Sequence, residues 1–233
     1  MAHHDAEEPR RRSDGEQTHA TILEAAMRLA SIEGLGSLTI GRLAREIDAS
    51  KSGVFAHFRS KARLHRETIE AAREVFAREV LEPGLAAPEG LAQVESLCEA
   101  YLAYVERGVF PGGCFFAQLL GEYDAQAGPI HDEVIADQRG WLELLAGLID
   151  AARRRGELDP SIDPSQLAFD LYAPLELANY LSTLQRDMSI VERGRRSVRS
   201  TLAQAAPTES TPRTAPPSLD EPTVADRWVT DRS

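Results

Sequence analysis

Between Thr39 and Phe58 the chain reads TIGRLAREIDASKSGVFAHF, and this stretch constrains the architecture more than any other. Two short helical patterns flank a break at Asp48-Ala49. Thr39 and Ser50 stand where helix caps belong, because a hydroxyl there accepts an amide that the first turn leaves without a partner. Ile40, Leu43, Ala44, Ile47, Val54 and Phe58 recur at helical spacing and form a hidden face. Hydroxyls, Gly53, His57 and cations make up the other face. A helix of that composition suits a DNA major groove while its partner helix crosses the backbone. The plainer alternative is an ordinary helical hairpin with a solvated basic face.

Charge sharpens the reading. The 233-residue chain carries a formal net charge of −11, which argues against indiscriminate coating of nucleic acid. Locally the sign reverses. Arg42, Arg45, Lys51, Arg59, Lys61, Arg63 and Arg66 stand against only Glu46 and Asp48 between residues 39 and 66. A basic patch on an acidic chain fits site-directed DNA contact. Hydrophobic residues, 42% of the total, suffice for a real core. The two cysteines, Cys98 and Cys114, offer no disulfide framework, so a cytoplasmic location is expected. No apolar run approaches membrane-spanning length, no signal-peptide pattern opens the chain, and no membrane partner is expected.

The remaining pattern is helical throughout, with no strand signal and no internal repeat. A first helix runs from Thr18 to Gly34, carried by Ile22, Ala26, Leu29 and Ala30. A fourth runs from Ser60 to about Leu81, where Glu82-Pro83-Gly84 is expected to stop it. Further helices are expected over 89–107, from Cys114 to Ala125, from Gly128-Pro129 to Arg155, from Asp163 to about Arg186 and from Ser189 to Ala205. Pro174 lies inside one of them and is expected to kink it. The expected division is a disordered arm over 1–17, a helix-turn-helix DNA-binding domain over 18–66, a helical ligand-binding and dimerisation domain over 67–206, and a disordered tail over 207–233. Arg10-Arg11-Arg12 is placed to reach a neighbouring phosphate, or is simply a solvated arm.

Residues 18–66 resemble the TetR family of one-component transcriptional repressors. The resemblance rests on the first helix, Thr39 opening the second, Ser50-Lys51 opening the third, the aromatic-x-His-Phe ending at Phe58, and Lys61 with Leu64 opening the fourth. It implies an all-α homodimer with a three-helix head on a palindromic double-stranded DNA operator. It also implies a larger, divergent C-terminal domain that dimerises and holds a small-molecule effector, here of unknown identity. The implied DNA-binding residues are Thr39, Arg42, Ser50, Lys51, Ser52, Gly53, Val54, Phe55, His57 and Lys61. Two departures stand out. The usual Gly-then-Ser/Thr order is Ser52-Gly53 here, and the usual Tyr is Phe55, which has no hydroxyl to give a phosphate. Val54 divides between a thymine-methyl contact and head-domain core.

Ligand sites between helices are mostly apolar with a few placed polar groups. On that pattern the effector candidates are Tyr104, Phe110, Cys114, Phe115, Gln118, Glu122, Trp141, Tyr172, Glu176 and Asn179, with Tyr101, Phe116 and Tyr123 beside them. Ordinary core packing is the competing account for each. The helices over 164–186 and 189–205 are expected to pair with their twins in a dimer. No cofactor is expected. One rival reading is a ligand-independent activator. Another is a helical metal-dependent enzyme built on Glu122, Asp124, His131, Asp132 and Glu133. That cluster lacks the Glu-x-x-His spacing of metal-binding bundles, and no phosphate loop or nucleophile elbow is present, so catalysis is not expected.

Overall fold

The computed structural model describes the backbone of residues 8–207 and the side chains from Gln17 onward. Residues 1–7, the side chains of Arg10-Arg11-Arg12 and the expected tail beyond Pro207 lie outside that range. The described elements are α1 (Glu8–Glu33), α2 (Ile40–Glu46), α3 (Lys51–Phe58), α4 (Lys61–Phe76), a π-helical turn (Ala77–Leu81), α5 (Glu82–Leu85), α6 (Leu91–Glu106), α7 (Phe115–Tyr123), α8 (Pro129–Arg154), α9 (Pro164–Gln185) and α10 (Ser189–Gln204). No strand occurs among the described residues, and the class is all-α.

The chain divides into two compact units. The first joins the N-terminal 75 residues to Phe110–Glu122; the second joins Phe76–Val109 to the chain from Tyr123 onward. The sequence-based division at residue 67 groups segment 110–122 with the C-terminal domain. In the structure Gly112, Gln118 and Glu122 of that segment make polar contacts with α1 and the α1–α2 loop.

In the first unit, α1 begins at Glu8 rather than Thr18. Glu, Arg and Gln in the added turns have good helix propensity, which the polarity of the segment conceals. Asp48 takes a left-handed backbone (φ 51°), and the Ala49 amide closes back on the Ala44 carbonyl at 2.9 Å. That turns α2 sharply into α3. Arg59, also left-handed (φ 63°), ends α3, and Ser60 Oγ then accepts the Arg63 amide at 3.1 Å. Leu29, Leu35, Leu43, Val54, Phe58 and Leu64 form the head core.

At the start of the second unit, Glu82-Pro83-Gly84 does not stop the helix. The backbone passes through a π turn and stays helical to Leu85. The Glu82 amide bonds to the Ala77 carbonyl five residues back. Such a wide turn makes room where proline would otherwise press on the preceding turn. Gly84 permits α5 to lie against α6, since a Cβ there would sit 2.8 Å from Leu97 Cα. α6 starts at Gly90, which has no side chain to cap it; Glu157 supplies the acceptor, taking the Leu91 amide at 2.6 Å. Packing runs α6 on α8, α9 and α10, α8 on α9, and α9 on α10. Asp163 caps α9 through the Ser165 amide at 2.9 Å, with Pro164 in the first turn. Helical backbone continues through Pro174.

Candidate nucleic-acid interface and effector residues

Both caps expected of the helix-turn-helix are formed. Thr39 Oγ1 accepts the Arg42 amide at 3.1 Å, and Ser50 Oγ accepts the Gly53 amide at 3.0 Å. Ser52 Oγ lies 3.2 Å from Ser50 Oγ. A Cβ at position 53 would come within 3.1 Å of Ser50 Oγ.

The α3 residues separate by face. Lys51, Ser52 and Gly53 are exposed, and Phe55 is 52% exposed. Val54 is 1% exposed and belongs to the head core, so its side chain does not line the outer edge. His57 is half-buried, with its ring centroid 5.5 Å from that of His19 on α1. A groove of about 580 Å³ runs between α1 and α3, and Thr18, Thr21, Ser50, Gly53 and His57 line it. The α1 residues Gln17, Thr18 and Thr21 were not among the sequence candidates. Their signal was an exposed polar strip one helical turn long, which many surface helices share.

Two expected DNA contacts are engaged inside the protein. The Arg42 guanidinium donates to Glu33 through Nε (3.1 Å) and Nη2 (2.5 Å), and to Glu46 through Nη1 (2.8 Å). Hydrogen bonding by Arg42 holds the Glu33 carboxyl below the usual carboxylate range. Lys61 Nζ donates to the Gly36 carbonyl at 2.6 Å, which leaves the ammonium two further protons. Lys51 and Arg59 make no ion pair among the described residues.

The effector candidates fall into both units. Phe110, Cys114, Phe115, Gln118 and Glu122 belong to the first. The two polar ones are occupied there: Gln118 Nε2 donates to the Ser31 carbonyl at 3.1 Å, and the Glu122 carboxylate accepts the Leu35 and Gly36 amides at 2.7 and 2.5 Å. Phe110, Cys114 and Phe115 are buried. Tyr104, Trp141, Tyr172, Glu176 and Asn179 belong to the second unit. Tyr101 joins them there, donating its hydroxyl to Glu176 Oε1 at 2.8 Å. Burial pushes the Glu176 carboxyl above the ordinary carboxylate value, against the opposing hydrogen bonds of Tyr101 and Tyr172. Burial likewise raises the Cys98 thiol to about 12, which makes it an unreactive core residue.

Among the described residues no group of three His, Cys, Asp or Glu side chains is gathered to hold a metal ion. His131 Nδ1 lies 3.1 Å from Asp132 Oδ1. No described helix is long and apolar enough to cross a membrane.

Residues 22–68 match the family described as bacterial regulatory proteins, tetR family, and residues 90–198 match the tetracyclin repressor-like C-terminal domain. No curated protein sequence matches the chain. Among solved structures, a TetR transcriptional regulator from Chloroflexus aurantiacus J-10-FL is similar with a TM-score of 0.75 and 24% identity, over 83% of this chain and 98% of that one. A transcriptional regulator from Saccharomonospora viridis in complex with choline is similar with a TM-score of 0.64 and 20% identity, over 82% and 98%. AibR in complex with isovaleryl coenzyme A and operator DNA is similar with a TM-score of 0.57 and 17% identity, over 81% and 97%. At these identities the structural likeness establishes the fold.

Proposed function

The chain belongs to the TetR family of bacterial transcriptional regulators, and we propose that it is a homodimeric repressor released from a palindromic operator by a small molecule. Members of the family are DNA-binding regulators, not enzymes. The observation that carries operator recognition is the α3 edge: Lys51, Ser52 and Gly53 stand exposed on a helix whose other side is anchored by Val54 and Phe58. Lys51 reaches a guanine or a phosphate, His57 and Lys61 hold phosphates, and the α2 N-terminus at Thr39 takes another.

The dimer reading is supported by α9. Phe169, Ala173, Leu177, Tyr180 and Leu184 recur at three- and four-residue steps along one face and are exposed, Tyr180 at 63% and Leu184 at 64%. Met188, between α9 and α10, is also exposed. An apolar strip of that length on a lone protomer calls for a cover, and a second copy related by a twofold axis supplies one. The described outward face of α10 is polar, with Arg193, Arg196 and Arg199, while Ile190, Val191, Val198 and Leu202 are buried. α9 therefore contributes the larger share of the proposed interface.

Two solved neighbours contain small molecules, choline in one and isovaleryl coenzyme A in the other. That supports an effector for this chain without naming it. Helical backbone is continuous from Lys61 to Leu85, across the border between the two units. This is the route by which effector binding would alter the spacing of two heads about 34–36 Å apart. An effector that prefers the DNA-incompetent state by about 2–3 kcal/mol would lower operator affinity roughly 30- to 150-fold.

Selection from random-sequence DNA, with the solution mass of the same sample, tests the reading. A palindromic consensus bound by a dimer supports it. A monomer, or binding without a consensus, overturns it.

A further inference from the structure

Glu176 on α9 sits against an aromatic cluster of the second unit. Its carboxylate takes the Tyr101 hydroxyl at 2.8 Å. The Tyr101 ring centroid is 6.0 Å from Trp141, 6.2 Å from Tyr104 and 6.4 Å from Phe76. Phe76 meets Trp141 edge to face at 5.5 Å and Tyr104 at 5.9 Å. Three helices and the end of a fourth thus contribute: α6, α8 and α9, with Phe76 closing α4.

Two features of this cluster are costly unless something else binds. Glu176 is half-buried, and what acts on its carboxyl is burial and two tyrosine hydroxyls; no basic side chain is among them. A buried carboxylate with no cation is ordinarily unfavourable. In addition, Trp141 Nε1 is buried and has no acceptor among the described residues. An indole N–H only donates, so whatever completes it brings an acceptor, most commonly an oxygen. Aromatic faces carry negative potential, and an organic cation resting on Tyr and Trp faces is stabilised by it, the more so away from water.

We propose that the cluster of Glu176, Tyr101, Tyr104, Trp141 and Phe76 binds a small organic ammonium ion that also carries an oxygen acceptor. The ammonium rests on the ring faces beside the Glu176 carboxylate, and the oxygen takes the Trp141 N–H. An uncharged apolar molecule would leave both groups unanswered. This inference rests on reading the second unit as the effector-binding domain, and it names the chemistry of that effector.

The test uses the full chain with Trp228→Phe, which leaves Trp141 as its one tryptophan. The probe is choline, taken as a soluble quaternary ammonium with one hydroxyl. The control is its uncharged carbon analogue, 3,3-dimethylbutan-1-ol. Saturable change in Trp141 emission, at least tenfold tighter for the cation, supports the inference. In Glu176→Gln, which keeps the shape and an acceptor for Tyr101, that preference should fall to about twofold or less. Equal titration by both probes, no titration by choline, or a cation preference that survives in Glu176→Gln overturns it. The comparison of the two probes on unsubstituted Glu176 stands even where Glu176→Gln does not fold. Consensus DNA binding by the same sample separates a wrong effector chemistry, in which DNA binding persists, from failure of the regulator reading, in which it is absent.

Discussion

The carboxylate of Glu122 accepts the backbone N–H of Gly36 at 2.5 Å across 86 residues of chain. Its other oxygen takes the Leu35 amide at 2.7 Å. Lys61 Nζ holds the Gly36 carbonyl, and His65 Nε2 donates to the Leu38 carbonyl at 2.8 Å. The loop that leads into the Thr39 cap is therefore held by three side chains. Glu122 acts here as a positioning residue for the head. It was an effector candidate in the sequence because a carboxylate on an apolar helix fits that role equally well.

Glu122→Ala should destabilise the protein by about 1–3 kcal/mol, because two amides lose a charged acceptor. Amide hydrogen exchange at Leu35 and Gly36 should accelerate, and Glu122→Gln should fall between the two. If Glu122→Ala leaves exchange and melting unchanged but weakens effector binding, its role is ligand contact.

Gly112 meets Ser31 so closely that a Cβ would lie 1.7 Å from the Ser31 carbonyl oxygen. The obstacle is backbone, which cannot swing aside. Gly112→Ala should cost at least about 1–3 kcal/mol by overpacking. Gly121 on α7 is the control: a Cβ there meets nothing within 4 Å, so Gly121→Ala should be stabilising by up to about 1 kcal/mol. Thermal unfolding of both variants reads the contrast.

Leu177→Glu with Leu184→Glu should convert a dimer to a folded monomer. Both side chains are exposed on the protomer, so its own core is untouched. Light scattering after size exclusion gives the mass, and circular dichroism reports the fold. An unchanged mass would remove α9 from the interface.

Lys51→Ala should weaken operator binding and reduce the salt slope by about one if Lys51 contacts a phosphate. If it reads a guanine, discrimination at one base pair should relax by about 1–3 kcal/mol. Val54→Ala should act through stability, since its side chain is in the core. Operator titrations at several salt concentrations separate these outcomes.

His65 and Glu176 impose opposite pH slopes. Burial lowers His65 below 6.5, with Lys61 adding to the shift and the Leu38 carbonyl and Glu122 opposing it. The unfolded state then binds more protons, so the His65 contribution is complete above 6.5 and shrinks as pH falls below it. Burial raises Glu176 above 4.5. Its contribution is complete below 4.5 and is lost as pH rises through the raised value. Melting temperatures between about pH 4 and 8 should show His65→Gln losing less stability on acidification. Glu176→Gln should lose less on alkalinisation than the unsubstituted chain. Equal slopes in all three proteins would contradict both assignments.

The helix-turn-helix was legible in the sequence because its determinants lie within four residues of one another. Thr39 and Ser50 cap their own first turns, Ser60 caps the next helix, and the apolar spacing marks which side goes inward. The all-α class follows from the same local periodicity. What the tertiary structure decided is partnership over long distances in the chain. Gln118 and Glu122 reach Ser31, Leu35 and Gly36, and segment 110–122 joins the head rather than the second unit. Val54 and Phe55 are adjacent apolar residues, yet the fold buries one and exposes the other. A carboxylate, an amide or an apolar side chain carries no mark of its eventual partner. Its role depends on which donor, acceptor or surface folding brings within a few ångströms.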